Sequence, residues 1–291
     1  MANAPFGLEH PLVATRDLTA LADRYAALGF APAPEGRHPW GTANRLVMFP
    51  DNFIELIGVA DPAATSFAAP GDFPFGAFVA ASLDRREGVP MVALRSNDAP
   101  GDYAQAQARG IADGRRVEFR RPVTLPDGTR DEAVVTLAMM IDAEEPELSH
   151  FLCHQHRPEF VWVRDWLVHP NGADGIRHVT YAVRDLARAR TRFAAIWPET
   201  RDAPGGFICA TAGGEMRVLT QDAAADRFAS VGLPAHWRDV SGAVAIGIRV
   251  PDPAAIAARC AAAGISHAAA GGTVQVDPIW CGNVVLDFAA S

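Results

Sequence analysis

Lysine is absent from this 291-residue chain, so all 26 cationic side chains are arginine. Schiff-base chemistry, pyridoxal-phosphate attachment and the lysine of a phosphate-binding loop each need a side-chain primary amine, and those classes are excluded. Positive charge is in deficit, with a formal net charge of −8; binding a nucleic-acid backbone needs clustered cations that release counterions, so nucleic acid is not an expected partner. No run approaches the roughly 18 apolar residues of a membrane span, and the start of the chain lacks a basic segment followed by an apolar one. The expected location is cytoplasmic, with no membrane partner. The four cysteines, Cys153, Cys209, Cys260 and Cys281, form no C-x-x-C pair, which points to reduced, buried thiols in place of a structural zinc or redox site. A glycine-rich dinucleotide fingerprint and a G-x-S-x-G elbow are missing too, which sets aside nucleotide-dependent and serine-hydrolase readings.

What is present is a globular composition, 49% hydrophobic and 21% charged, long enough for two domains. Within it one pattern occurs four times: a short apolar strand, an Asp, an Ala-rich amphipathic helix and a closing turn. The Asp residues are Asp17, Asp98, Asp185 and Asp252, and three of the helices stop at Gly29, Gly110 and Gly264. Asp accepts hydrogen bonds from the free amides of a first helical turn, and Gly adopts the left-handed conformation that ends a helix. Pro253, directly after Asp252, fits the first helical position.

Each helix is followed by apolar runs broken by Pro-Asp, Asp-Gly or Gly-Gly, the chemistry of turns between strands. The expectation is therefore an α+β protein of four βαβββ modules in two domains, residues 5–158 and 172–291. Two connections stand apart from the repeat. Residues 61–87, rich in Ala, Pro, Phe and Gly, read as a long loop of the kind that covers a pocket. The segment 157–175 carries Trp162 and Trp166, expected to pack between the domains.

The stretches "LEHPLVATRDL", "ALGF", "RHPWGTANRLVMF" and "NFIELIGV", with "FLCHQHRPEFVW" and "GIRHVTYAVRDL" later on, resemble the vicinal-oxygen-chelate superfamily and its glyoxalase-like domain proteins. The resemblance covers most of the chain and implies two cups, each of two modules, with a divalent metal (Zn, Fe, Mn or Ni) held by residues of the first and last strands of each module. Carried over by position, His10 lies seven residues before Asp17 and Glu55 in the last strand of the same module. The second module departs from the pattern, with Met91 seven before Asp98; His154 in its last strand is then the third candidate ligand. His150, at even spacing from His154, would share its face. In the C-terminal half His178 and Asp287 repeat His10 and Glu55, but Ala245 and the third module's last strand supply no further donors, so the pair reads as a structural remnant.

His38, with Arg37, Thr42 and Asn44, either faces the cup and orients a polar substrate or forms a locally bonded turn. The expected site is thus Glu55 and His38 as catalytic groups, His10, Glu55 and His154 as metal ligands, and Arg37, Asn44, Met91 and His150 as substrate contacts. Two functions follow from the resemblance. One is a metal-dependent enzyme of lyase, isomerase or ring-opening type acting on a small oxygen-rich metabolite. The other is a metal-free protein that sequesters a small molecule in an apolar cup, with Phe53, Met91, Phe151 and the Phe73–Phe75 segment as its lining. The cup is completed either within one chain or between two copies in a homodimer. His169, His236 and His267 read as exposed loop residues, and the acidic run from Asp142 to Glu147 as a solvated loop.

Overall fold

In a computed structural model, residues 6–66, 73–112 and 114–290 are described, and they carry the expected module four times. The first is β1 (Leu8–Ala14), α1 (Leu18–Ala27), β2 (Gly36–Arg37), β3 (Thr42–Met48) and β4 (Phe53–Val59). After an additional helix, α2 (Phe75–Arg85), the second is β5 (Val92–Ser96), α3 (Ala99–Ala108), β6 (Arg116–Thr124), β7 (Arg130–Met140) and β8 (His150–Gln155). The third is β9 (Gly175–Val183), α4 (Leu186–Ile196), β10 (Thr200–Ala203), β11 (Gly206–Thr211) and β12 (Gly214–Thr220), followed by α5 (Gln221–Arg227). The fourth is β13 (Gly242–Arg249), α6 (Pro253–Ala262), β14 (His267–Ala270), β15 (Thr273–Val276) and β16 (Val285–Ala289).

The helix starts follow from the sequence. Asp17, Asp98, Asp185 and Asp252 each accept a backbone N–H of the first turn of α1, α3, α4 and α6, and Gly29, Gly110 and Gly264 take positive φ behind three of these helices. The modules pair into two eight-stranded mixed sheets, β2-β3-β4-β1-β5-β8-β7-β6 and β10-β11-β12-β9-β13-β16-β15-β14. In each sheet the first strands of two modules run antiparallel at the centre, β1 beside β5 and β9 beside β13. Each lies parallel to the last strand of its own module. The first sheet curls until its edge strands β2 and β6 touch, so its cup is closed within one chain.

The helix-bearing faces of the two sheets pack on each other in one large core. Tyr25 of α1 donates its hydroxyl to the carbonyl of Cys281, Phe30 stacks on Phe288, and the Trp197 indole donates to the carbonyl of Phe6. All four cysteines are free and buried. Asn52 ties the halves together: its amide donates to the carbonyls of Ile176 (3.1 Å) and Gly213 (2.9 Å), and its oxygen accepts from the Ile176 N–H (2.8 Å).

Four sequence expectations are corrected. The 61–87 connection is not merely a loop, because it contains α2, whose Phe75, Val79 and Leu83 pack into the first cup; residues 67–72 lie outside the described residues. Trp162 and Trp166 pack against Leu46, Met48 and Phe53 at the end of the first sheet, and so close that cup in place of joining the halves. The acidic run is an interior clamp: Asp142, Glu145 and Glu147 are buried and pair with Arg188, Arg184 and Arg85. His169 is likewise buried, accepting from the Ala31 N–H through Nδ1 and meeting the Met48 carbonyl at 2.7 Å through Nε2.

Removing the Asn52 side chain strands one buried N–H and two carbonyls at once. Asn52→Ala is expected to cost about 2–4 kcal/mol of stability, read as a lower urea midpoint in equilibrium unfolding.

Candidate active site

Side chains alternate across a strand, so each strand of the first sheet sends every second residue into the cup. From β1 that residue is His10, from β3 Asn44 and Leu46, from β4 Phe53 and Glu55, and from β8 Phe151, Cys153 and Gln155. With Trp40, Phe75, Phe119, Arg121 and His38 they line the cavity of the cup. Its walls are mostly aromatic, and its polar groups gather on one side.

Glu55 is at the centre of that side. The β1–β4 register sets Leu12 opposite Glu55, which brings Glu55 to its neighbour on the same face, His10. His10 Nε2 lies 3.3 Å from Glu55 Oε2, and Asn44 Nδ2 donates to Glu55 Oε1 at 2.7 Å. His38 Nε2 is 3.9 Å from Oε1, while its Nδ1 meets the Thr42 hydroxyl at 2.9 Å. On the far side of the His10 ring Nδ1 approaches Glu9 at 3.5 Å without hydrogen-bond alignment, leaving that nitrogen unpartnered. The ring also stacks on Phe53 at 4.1 Å.

Burial disfavours every charge here, and the contacts decide which survive. For Glu55, burial pushes the pKa up, but the hydrogen bond and charge of His10, with His38 and Asn44, overcome it and hold the carboxyl at about 2. For His10, burial pulls downward, yet Glu55 and Glu9 together raise it above the ordinary imidazole value. His38 is dominated by burial and falls to about 4, with Glu55 pulling it up and Arg121 and His10 pushing it down. At neutral pH the site therefore holds an ionised Glu55 carboxylate and a neutral His38 imidazole, with His10 shifted towards its protonated form. Burial also lowers Arg121, and the charge of Glu55 opposes that.

The structure brings His10, Glu55, His38 and Asn44 together, and separates the other expected site residues from them. His154 occupies the face of β8 opposite Cys153 and Gln155; its Nδ1 accepts the Ala99 N–H at the start of α3, and its ring stacks on His156. His150 is on that same outer face, buried among Tyr181, Phe193 and Trp197, with Nε2 3.1 Å from the Tyr181 hydroxyl. Arg37 points to solvent and pairs with Glu35. Met91 is fully buried in the apolar filling of the cup. Arg121 went unnoticed in the sequence, although the alternation Val117, Phe119, Arg121, Val123 along β6 puts an arginine on an otherwise apolar inward face.

A divalent metal of the superfamily kind does not fit these donors. His10 is equivalent by module symmetry to Met91. Glu55, opposite Leu12, is equivalent to Phe151, opposite Ala93. Two of four ligand slots thus hold a buried thioether and a phenyl ring, whereas catalytic sites of this kind use at least three protein donors. Among the described residues no group of three or more His, Cys, Asp or Glu side chains converges as a metal site.

The second sheet's cup is occupied from within. Ala224 of α5, Phe228 and Trp237 pack onto Ala182, Leu219, Ala245 and Val285. His178 lies across Gly247, where a Cβ would come within 2.1 Å of its ring, and Nε2 sits 3.7 Å from Asp287, itself bonded to Arg227 at 3.1 Å. Arg217 holds the register position opposite Thr180 that Glu55 holds opposite Leu12 in the first sheet.

This architecture, paired βαβββ modules curling into cups, is that of the vicinal-oxygen-chelate superfamily. The model of the glyoxalase-like domain family matches residues 8–197, more than half of the chain, and the chain belongs to that family. Among solved structures it is similar to a hypothetical protein from Staphylococcus aureus (TM-score 0.68, 12% identity, 98% of this chain and 99% of that one). It is also similar to a mutant of 4-hydroxymandelate synthase from Streptomyces coelicolor (TM-score 0.60, 12% identity, 98% and 92%). A third likeness is to a xylose isomerase-like TIM barrel/4-hydroxyphenylpyruvate dioxygenase fusion protein, of which this chain spans 49% (TM-score 0.59, 16% identity, all of this chain). These identities carry the fold alone. No curated protein matches the sequence significantly. Among the described residues no helix is long and apolar enough to cross a membrane.

The depressed groups set an acid limit. Neutral His38 contributes stability that is complete above its unfolded value of 6.5 and is lost as pH falls through about 4; ionised Glu55 contributes stability complete above 4.5 and lost as pH falls through about 2. His10, with its raised value, acts oppositely and loses its contribution as pH rises through that value. Urea unfolding from pH 6.5 down to pH 3 is expected to show a falling midpoint. His38→Gln should flatten the portion between pH 6.5 and 4, and Glu55→Gln the portion below 4.5.

Proposed function

We propose that this protein acts on a small oxygen-bearing molecule held in the N-terminal cup, by a proton-transfer reaction of lyase or isomerase type that uses no superfamily-type divalent metal. The observation that supports this most directly is the one-sided clustering of His10, His38, Asn44 and Glu55 inside an aromatic-walled cavity. A ligand's apolar body fits the rings, and its oxygen-bearing end meets the polar wall, the usual division of labour in small-molecule sites.

Glu55 and neutral His38 are the proton acceptors of this wall at neutral pH. His10 keeps Glu55 ionised and oriented through Nε2, and Asn44 fixes the other carboxylate oxygen. A C–H beside a ligand carbonyl would pass its proton to Glu55 or His38, and the electron pair would move onto the carbonyl oxygen. Return of the proton at a neighbouring atom gives isomerisation, and loss of a β-substituent gives elimination. The sheltered aromatic walls strengthen these electrostatic contacts by excluding water.

A specific observation favours the sequestering reading as second: Glu55 at about 2 and His38 at about 4 are weak bases, well below the near-neutral pKa that suits general-base catalysis. One experiment separates the two. Small aldehydes, ketones and keto acids are tested for binding by ligand-observed NMR and then incubated with the protein in D2O, following loss of the C–H signal beside the carbonyl. The expected result is deuterium wash-in that survives EDTA and drops by roughly 100-fold or more in Glu55→Gln or His38→Gln. Binding without wash-in selects sequestration; wash-in abolished by EDTA and restored by a divalent ion overturns the metal-free proposal.

A further inference from the structure

Taking the cup as the small-molecule site, we propose that its ligand is a small aromatic monocarboxylate, and that Arg121 is the residue that selects the carboxylate. Arg121 projects from the inward face of β6 into the cavity, is only partly exposed to solvent, and comes from the strand that closes the cup against β2. Gly36 of β2 makes room for it. A Cβ at that position would stand 2.5 Å from Arg121 Nη1 and 2.7 Å from Asn44 Oδ1, so the guanidinium reaches over the glycine towards the polar wall.

Several arginines elsewhere in the fold are matched by carboxylates. Arg188 meets Asp142, Glu144 and Glu145, Arg227 meets Asp287, and Arg217 meets Glu215. Arg121 has no hydrogen bond and no ion pair within 4 Å among the described residues; its electrostatic partner is the more distant Glu55, which is already engaged by His10 and Asn44. A guanidinium that lines the cup and has no carboxylate of the chain within ion-pair distance offers its donors to an anion entering from outside the chain.

Its chemistry narrows to a carboxylate. The planar fork of one arginine matches the two oxygens of a carboxylate in a bidentate contact. A phosphate dianion would bring a second negative charge close to Glu55, and among the described residues lining the cup Arg121 is the only arginine available to meet it. The body attached to that carboxylate must fill space bounded by Trp40, Phe53, Phe75, Phe119 and Phe151, and a flat ring does so with offset or edge contacts.

Titration calorimetry with benzoate, its neutral isostere benzamide, and phenyl phosphate tests the proposal on the intact chain. Wild type should bind benzoate roughly tenfold or more tighter than benzamide, and also tighter than phenyl phosphate, with the benzoate preference weakening as salt rises. Arg121→Gln should bring benzoate and benzamide to within about twofold of each other while benzamide affinity holds, and Arg121→Lys should restore part of the gap. Equal binding of benzoate and benzamide by wild type, a preference that survives Arg121→Gln, or tighter binding of phenyl phosphate overturns the carboxylate assignment and leaves the cup as a small-molecule site. Failure of all three probes, together with no binding partner among the neutral carbonyl compounds, overturns the cup itself as the site.

Discussion

A carboxylate buried as deeply as Glu55 constrains everything around it. An ionised group removed from water costs several kcal/mol unless it is paired and its oxygens are hydrogen-bonded. Here one oxygen takes the imidazole of His10 and the other the amide of Asn44. Satisfying it fixes the β1–β4 register, since a shift of one residue would turn Glu55 out of the cup. It also explains why two histidines within 4 Å of the same carboxylate are shifted in opposite directions: His10, held between Glu55 and Glu9, is raised against its burial, while His38, farther off, is lowered by burial with Arg121 adding to it.

The two cups diverge from that point. In the first sheet the metal-type positions keep one His and one Glu, whereas their partners by module symmetry are Met91 and Phe151, so the interior is apolar apart from one polar wall. In the second sheet the position of Glu55 is held by Arg217, and the concave face is filled by α5, Phe228 and Trp237. His178 lies flat across Gly247 and reaches the next strand but one, an arrangement only a residue without a Cβ permits. The same fold thus leaves one cup open as a candidate site and uses the other as packed interior, as expected when function is grafted onto a scaffold in place of following from it.

The repeat was legible in the sequence because its punctuation is local. An Asp that caps and a Gly at positive φ act within a few residues, so all four modules can be placed from the sequence alone. His10 and Glu55 were legible for a related reason, since each has a fixed spacing from a recognisable landmark. His154 was misplaced because strand parity decides which face a residue takes: in "FLCHQH" the inward positions are Phe151, Cys153 and Gln155, and the eye is drawn to the histidines between them. α2 was missed because its Phe, Gly and Ala follow a Pro without a capping side chain. His150 and the acidic run were misread because their partners, Tyr181 and the arginines of α4, lie more than thirty residues away, and sequence spacing carries no information about such contacts.

Arg121 belongs to a different category. Its signal was present, as an arginine on the inward face of an alternating strand, but its meaning depended on β2 closing against β6 and on Gly36 being a glycine. An inward charge on a strand ordinarily demands a partner from the chain, and elsewhere this protein supplies one through its arginine–carboxylate pairs. At Arg121 the nearest carboxylate is already satisfied by a histidine and an asparagine, so the unmet requirement passes to whatever enters the cup. With Glu55 satisfied by His10 and Asn44, the guanidinium stands in the cavity without a carboxylate of its own.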